Sequence, residues 1–221
     1  MLILGIIGFL VLCGAIGFAI ISSAFSQRHW KRVIAAGDRP TLLAALEEAI
    51  ETFRGMRPPR GIPPADWRAL QSAAIVAADR DRCRVSVMVE PDIRVLGGSE
   101  RRELGPAETV ARRVAVRMAE RLLYEIPLAR FQAVQVDAYT EYRSAGGATQ
   151  TECLLTTNVT RETAAETDWD EQETAAILAE WQTRERAPGQ TLDPDHDAII
   201  TPQEFAADAD AGEARQRDRD V

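Results

Sequence analysis

The chain has 221 residues with 34 acidic and 26 basic side chains, and its formal net charge is −8 at pH 7. Only one basic residue is a lysine, which indicates a codon bias toward arginine, so the arginines are not evidence for nucleic-acid binding. The three cysteines show no paired spacing, which excludes a CxxC metal site and suits a reducing compartment.

Residues 1–26 are predicted to be a transmembrane anchor. No residue at 2–25 is charged or proline, and such a helix reaches about 36 Å, enough for a hydrocarbon core of roughly 30 Å. Arg28 and Lys31 follow it, whereas no basic side chain precedes it. The positive-inside rule therefore predicts a single-pass cell-membrane protein with its N-terminus outside and its C-terminal domain in the cytoplasm. The alternative is a cleavable signal peptide with its cleavage site at 22–24.

Residues 27–62 are predicted to be a juxtamembrane helix followed by a linker rich in proline and arginine. Asp38 offers an N-cap ahead of a helix over 41–53. This helix could pack on the rest of the protein, on a partner subunit or on the membrane surface. Its apolar side chains recur at helical spacing, at Leu42, Leu46, Ala49, Ile50 and Phe53.

Residues 63–187 are predicted to form the main domain. Its strands alternate apolar and polar residues, which gives each strand one apolar and one polar face. The predicted elements are a helix from Pro63 to about Ala78, a strand at 83–90, a short strand at 93–96 that pairs back, a helix of about 19 residues from Pro106, a hairpin of strands at 131–143 and 149–160, and a helix at 169–186. The predicted apolar stripe of the helix from Pro106 consists of Val110, Val114, Met118 and Leu122.

The predicted fold class is α+β, with an N-terminal single transmembrane helix. The domain that follows is predicted to have two layers, a small, mainly antiparallel sheet and helices on one face of it. This arrangement follows from the polar second face of each strand, which is typical of an antiparallel sheet that faces water or a partner on one side.

The polar sheet face could bring carboxylates together for acid–base or metal-dependent chemistry. A metal-dependent nuclease would need a lysine two residues after the second acid, where this chain has Leu154. The chain also lacks a glycine-rich phosphate loop, and a solvated sheet face explains the acids without catalysis, so we predict that the protein is not an enzyme. The acids in question are Glu90, Asp137, Glu141 and Glu152.

Residues 188–221 are predicted to be an acidic tail, and within it residues 193–204 resemble the twelve-residue calcium loop of EF-hand proteins. Ala198 stands where that family has glycine, and Pro188 interrupts an entering helix. The resemblance therefore implies weak calcium binding, with a Kd of about 10⁻⁴–10⁻³ M. The implied metal ligands are Asp193, Asp195, Asp197, the Ile199 carbonyl, Thr201 and the bidentate Glu204.

Part of this loop has a second interpretation. Residues 201–204 read Thr-Pro-Gln-Glu, which is a complete capping box with proline at the first helical position. The Thr and Glu side chains would then start a helix instead of binding a metal ion.

Two functional hypotheses follow from the sequence. The first is a single-pass, membrane-anchored, non-catalytic protein whose cytoplasmic α+β domain binds a protein partner, forms a homo-oligomer, or acts as an accessory subunit of a membrane complex. The second is a membrane-anchored calcium-binding protein that uses the loop at 193–204. The expected partners are the lipid bilayer and a protein, and nucleic acid is not expected.

Overall fold

A computed structural model describes residues 39–96, 100–126, 129–143, 146–169 and 171–206 of the chain. The predicted transmembrane anchor, residues 1–26, lies outside these described residues. Within them, no helix combines the length and the apolar character that crossing a membrane requires.

The described residues alternate between helices and strands along the chain. In chain order the elements are α1 (Arg39–Gly55), α2 (Pro64–Gln71), β1 (Ala74–Ala78), β2 (Arg82–Met88), β3 (Asp92–Leu96), β4 (Glu100–Gly105), α3 (Ala107–Tyr124), β5 (Ala133–Arg143), β6 (Thr149–Thr160), α4 (Arg161–Ala165), α5 (Thr174–Glu180) and β7 (Gln182–Glu185).

The main sheet has five strands in the order β1-β2-β5-β6-β7. Strand β2 runs parallel to β5, whereas the other neighbouring pairs are antiparallel. Strands β3 and β4 form a separate antiparallel ribbon. The chain passes through this ribbon and α3 between β2 and β5, which supplies the long connection that a parallel pair requires.

The fold class predicted from the sequence is therefore wrong. The structure is α+β with a mixed sheet and helices, whereas the prediction was a transmembrane helix followed by a mainly antiparallel sheet. The parallel pair was missed because alternation within a strand is the same whether its neighbour runs parallel or antiparallel.

Several predicted elements are confirmed with small changes of boundary. The helix predicted at 41–53 lies inside α1, and the helix predicted from Pro106 is α3. The predicted hairpin is the antiparallel pair β5–β6, which pairs from Ala133 with Thr160 to Arg143 with Thr149.

Two predicted helices have wrong boundaries, and one predicted strand is present with a different pairing partner. The first helix ends at Gln71, and Ala74–Ala78 is strand β1. The strand at 93–96 pairs with β4 and not with β2. The last helix covers only Thr174–Glu180, because Trp181 has an extended backbone and the next residues pair with β6 as β7.

The helices cover one face of the sheet. The predicted apolar stripe of α3 is buried there, and α3 packs on β5 and β6. The buried Asp66 of α2 accepts hydrogen bonds from Arg113 at 2.6 and 2.8 Å and from Arg117 at 3.0 Å, which fastens α2 to α3. Leu42 and Leu46 of α1 belong to the same core.

The polar face of the sheet is covered by residues 193–206, which we name the C-terminal strap. Ile200 of the strap is only 1 % exposed. At the end of the strap, the Arg39 guanidinium of α1 lies 3.5 Å from the centre of the Phe205 ring and donates a hydrogen bond to the Phe205 carbonyl. This part of the predicted acidic tail is thus packed against the domain.

Candidate functional site

Under the C-terminal strap lies a buried polar cluster on β2, β5 and β6. The Arg84 Nε donates to Asp137 Oδ2 at 2.6 Å, and its Nη1 donates to Asp195 Oδ1 at 2.6 Å. Gln135 Nε2 and Thr156 Oγ1 both donate to the other Asp137 oxygen, at 2.8 and 2.6 Å. Each charge in the cluster is therefore paired and hydrogen-bonded, which is the condition for keeping charges in a protein interior.

The carboxylates of the cluster keep the Arg84 guanidinium protonated. Burial acts to lower the pKa of the Arg84 guanidinium, but the charges and hydrogen bonds of Asp137 and Asp195 outweigh burial and raise that pKa above its usual value. Arg84 thus remains a cation and compensates Asp137. Because the Asp137 carboxylate is fully buried and both its oxygens accept hydrogen bonds, it offers no free position to a substrate.

The other acids of the predicted sheet face lie apart from Asp137 in separate contacts. Glu90 is 3.7 Å from Arg68, and Glu152 Oε2 accepts from Arg186 Nη1 at 3.0 Å. Glu141 is exposed. The structure therefore does not bring these four carboxylates together as a catalytic pair.

Two buried cysteines, Cys83 on β2 and Cys153 on β6, have unreactive thiols. Burial raises the pKa of the Cys83 thiol to about 12, with a further contribution from the charge of Asp79. Burial, followed by the charge of Asp137, raises the pKa of the Cys153 thiol to about 12. Both groups are protonated at neutral pH, and nucleophilic chemistry needs the thiolate.

The aspartates of the EF-hand-like loop have contacts inside the protein. The Asp195 N–H donates to Asp193 Oδ1 at 2.9 Å, and the Asp195 carboxylate pairs with Arg84. Asp197 has φ of +60°, and its carboxylate lies 2.6 Å from His196 Nδ1.

The remaining implied ligands are engaged as well. The Ile199 carbonyl accepts a hydrogen bond from Arg82 Nη1 at 2.6 Å. The Ile199 N–H donates to Gln135 Oε1 at 2.9 Å. The Thr201 N–H donates to Glu204 Oε2 at 3.1 Å, and the Glu204 N–H donates to Thr201 Oγ1 at 3.2 Å. This pair is the capping box, so the second interpretation of residues 201–204 is confirmed.

Arginines hold two of the implied ligands, the Asp195 carboxylate and the Ile199 carbonyl. Arg184 Nη2 also donates to the Asp193 carbonyl at 2.9 Å and to the His196 carbonyl. Over the described ranges, no three or more acidic, histidine or cysteine side chains are arranged to hold a metal ion. The loop in this conformation does not fit a calcium ion, and calcium binding by it stays a prediction.

A different kind of site lies on the helical side, where an apolar cleft of about 350 Å³ separates α1 from the second half of α3. The floor of the cleft is formed by the buried residues Ile50 of α1, Met118 and Leu122 of α3, and Ala73. At its rim, Met56 is 52 % exposed. The lining of the cleft includes Ala45, Glu48, Ala49, Thr52, Phe53, Met56, Met118, Arg121 and Glu125.

The cleft follows from two adjacent stripes on α1. The first stripe, which includes Leu42 and Leu46, is buried in the core. The second stripe consists of Ala45, Ala49, Thr52 and Met56, at the i, i+4, i+7 and i+11 spacing of one helix face. Because the alanines end at Cβ, they leave open space between α1 and α3.

Arg121 of α3 forms part of the cleft wall. Its guanidinium lies 3.8 Å from the centre of the Phe53 ring and 5.8 Å from that of Trp67, a cation–π arrangement. Burial lowers the pKa of Arg121, and the nearby Glu125, at 3.7 Å, partly opposes this shift. The side chain of Glu125 remains more than half exposed at the rim.

Sequence reasoning found only part of this cleft. Ala49 and Phe53 were in the predicted apolar stripe of α1, and Met118 was in that of α3. Met56 was assigned to the linker and Arg121 was not singled out. The signal that could have identified the cleft is the run of small residues beside the buried stripe of α1.

No family model matches the chain, and comparison with curated proteins and with solved structures finds no significant match. The function is therefore inferred from the chemistry of the two sites.

Proposed function

We propose that this protein is a non-catalytic binding module that docks a protein partner in the cleft between α1 and α3. The observation that carries the proposal is an open apolar cleft, over the domain core, whose rim exposes a methionine. Exposed apolar surface of this kind is typical of interaction sites. Methionine side chains, here Met56 and Met118, adapt to different partner surfaces and are frequent in such sites.

The dimensions of the cleft favour a protein segment over a small molecule. Its volume is at the lower end of the range for ligand pockets, roughly 300–1,000 Å³. The stripe from Ala45 to Met56 is long, however, and extends about 16 Å along α1. A groove of this length can accept several side chains from one face of a partner helix.

The polar groups of the site support binding without catalysis. The described lining contains two glutamates, one arginine and one threonine among apolar residues. Arg121 is stacked on Phe53, and the cleft holds no neighbouring histidine or cysteine among the described residues. The buried charges of the sheet face are all used internally.

Affinity purification of the full-length protein tests this proposal. We expect a partner in fixed ratio with the unaltered protein, and loss of that partner when Ala49→Trp fills the cleft. Ala176→Trp is the matched control, because Ala176 is exposed on α5, outside the lining. If Ala49→Trp retains the same partner in the same ratio, and circular dichroism shows that it is folded, the proposal is wrong.

A further inference from the structure

Resting on the function proposed above, we infer that the segment docked in the cleft is an amphipathic α-helix with lysine or arginine on both sides of its apolar stripe. The shape of the groove and the charge at its rim both favour this occupant.

The shape matches one face of a helix. The second stripe of α1 lines the groove from Ala45 to Met56 over about three helical turns. A helix laid in such a groove inserts anchors at i, i+3 or i+4, and i+7. The alanines and Thr52 are small, so the partner has to supply the large apolar side chains.

The rim of the cleft is acidic. Glu48 lines the cleft, is exposed on α1 and forms no ion pair within the described part of the chain. Glu125 stands exposed on the opposite side of the cleft, on the residue after α3. Basic side chains that flank the apolar stripe of a partner helix would meet these carboxylates on both sides of the groove.

The nearby arginines offset this charge only in part, since Arg121 lies 3.7 Å from Glu125 and the Glu125 side chain stays 57 % exposed. Arg54 is committed to Glu51 at 3.0 Å and to the carbonyls of Gln71 and Ala73 at 3.1 and 2.7 Å. Arg121 lies against the Phe53 ring inside the cleft. Among the described residues, neither guanidinium forms an ion pair with Glu48.

The same charges disfavour other occupants. A second copy of this chain docked cleft to cleft would bring a second Glu48 and a second Glu125 into the interface, and like charges across an interface are repulsive. An anionic apolar molecule would meet the same glutamates.

Two labelled peptides of about 18 residues test the inference. Both carry leucines at i, i+4, i+7 and i+11; one has lysines beside the leucines, and its twin has glutamates there. Fluorescence anisotropy with the full-length protein should give a Kd at least about tenfold lower for the lysine peptide, and this preference should weaken at high salt.

Charge reversal at the rim gives an independent readout. Glu48→Arg should weaken binding of the lysine peptide by about tenfold and strengthen binding of the glutamate peptide. Glu48 is exposed, so folding is not at risk. Glu166→Arg, at an exposed position after α4, should change neither affinity.

The outcomes separate the two proposals. If both peptides bind equally and Ala49→Trp abolishes both, the cleft is a docking site but the basic class of partner is wrong. If neither peptide binds, or if the cleft instead mediates a dimer that Ala49→Trp dissociates, the inference is also wrong. The proposed function fails only if a natural partner is retained by Ala49→Trp.

Discussion

The polar sheet face and the helical side of the domain differ in how many of their side chains are already bonded within the protein. The polar sheet face carries Arg84, Asp137 and Gln135, yet each of these side chains is bonded to another part of the protein and covered by the C-terminal strap. The cleft between α1 and α3 is apolar inside, carries its glutamates at the rim and stays open. The comparison teaches that a concentration of charged residues does not by itself mark a functional site.

The largest expected effect concerns the closed face. Arg84→Ala leaves Asp137 as a buried, uncompensated charge, so we expect a loss of about 3–5 kcal/mol in the free energy of unfolding, measured with urea. Arg80→Ala, at an exposed position in the same region, should change it by less than about 0.5 kcal/mol.

A double variant sharpens this result. If the cost arises from the unpaired charge, Arg84→Met combined with Asp137→Leu should be more stable than either single variant, because apolar residues can replace a buried ion pair. A loss below about 1 kcal/mol for Arg84→Ala would mean that the pair is not buried as described.

The next effect tests whether the C-terminal strap is part of the fold. Ile200 is buried, and Ile200→Ala should cost about 2–4 kcal/mol in urea unfolding. Ile199→Ala is the matched control, since the neighbouring side chain is only partly buried and should cost less. Equal, small effects of both variants would show that the strap detaches easily.

A smaller effect is expected from calcium. To bind at 193–204, the ion must separate Arg84 from Asp195 and open the capping box of Thr201 and Glu204. With a Kd near 10⁻³ M, about 1 mM calcium adds only about 0.4 kcal/mol. The melting temperature should then rise by about 1–2 °C.

Two comparisons decide how this rise is read. Glu204→Gln should abolish the rise in melting temperature, because it removes the bidentate calcium ligand. Magnesium at the same concentration is the control for a divalent ion that does not prefer the coordination of a calcium loop. A rise above about 5 °C would contradict the competition by arginines described above.

The smallest effect is a pH dependence at the edge of the sheet. The hydrogen bond and charge of Arg112 lower the pKa of Glu185 below its usual value of 4.5, although partial burial opposes this. A carboxyl group whose pKa is lowered on folding contributes stability above its unfolded pKa and loses it as the pH falls through the folded pKa. Both side chains are 39 % exposed, so the contribution is below about 0.5 kcal/mol.

Glu185→Gln isolates this contribution. The difference in unfolding free energy between the two proteins should be present at pH 7 and should shrink as the pH falls below 4.5. A difference that grows toward acidic pH would have the wrong sign for this ion pair.

The sequence predicted the elements that have long patterns and clear boundaries. Helix α3 begins after Pro106 and carries a long buried stripe, and the hairpin β5–β6 alternates along most of its length. Ala74–Ala78 was assigned to a helix because a short apolar run fits either structure, and only pairing with β2 makes it a strand.

The closed face could not be predicted for a different reason. Arg84 and Asp195 are 111 residues apart in the sequence, and no local pattern relates them. The polar sheet face was therefore expected to be solvated, and the aspartates of the loop were interpreted as metal ligands. Likewise, the apolar stripe of α1 was visible in the sequence, whereas the cleft depends on the position of α3 across from it.

The most direct test compares the two surfaces in one experiment. A photo-crosslinking amino acid is placed in the full-length protein either at Thr52, on the rim of the cleft, or at His196, exposed on the C-terminal strap. Our account predicts that a partner protein is crosslinked from position 52 and not from position 196. Crosslinking of a partner from position 196 alone would show that the closed face is the binding surface and would contradict the account.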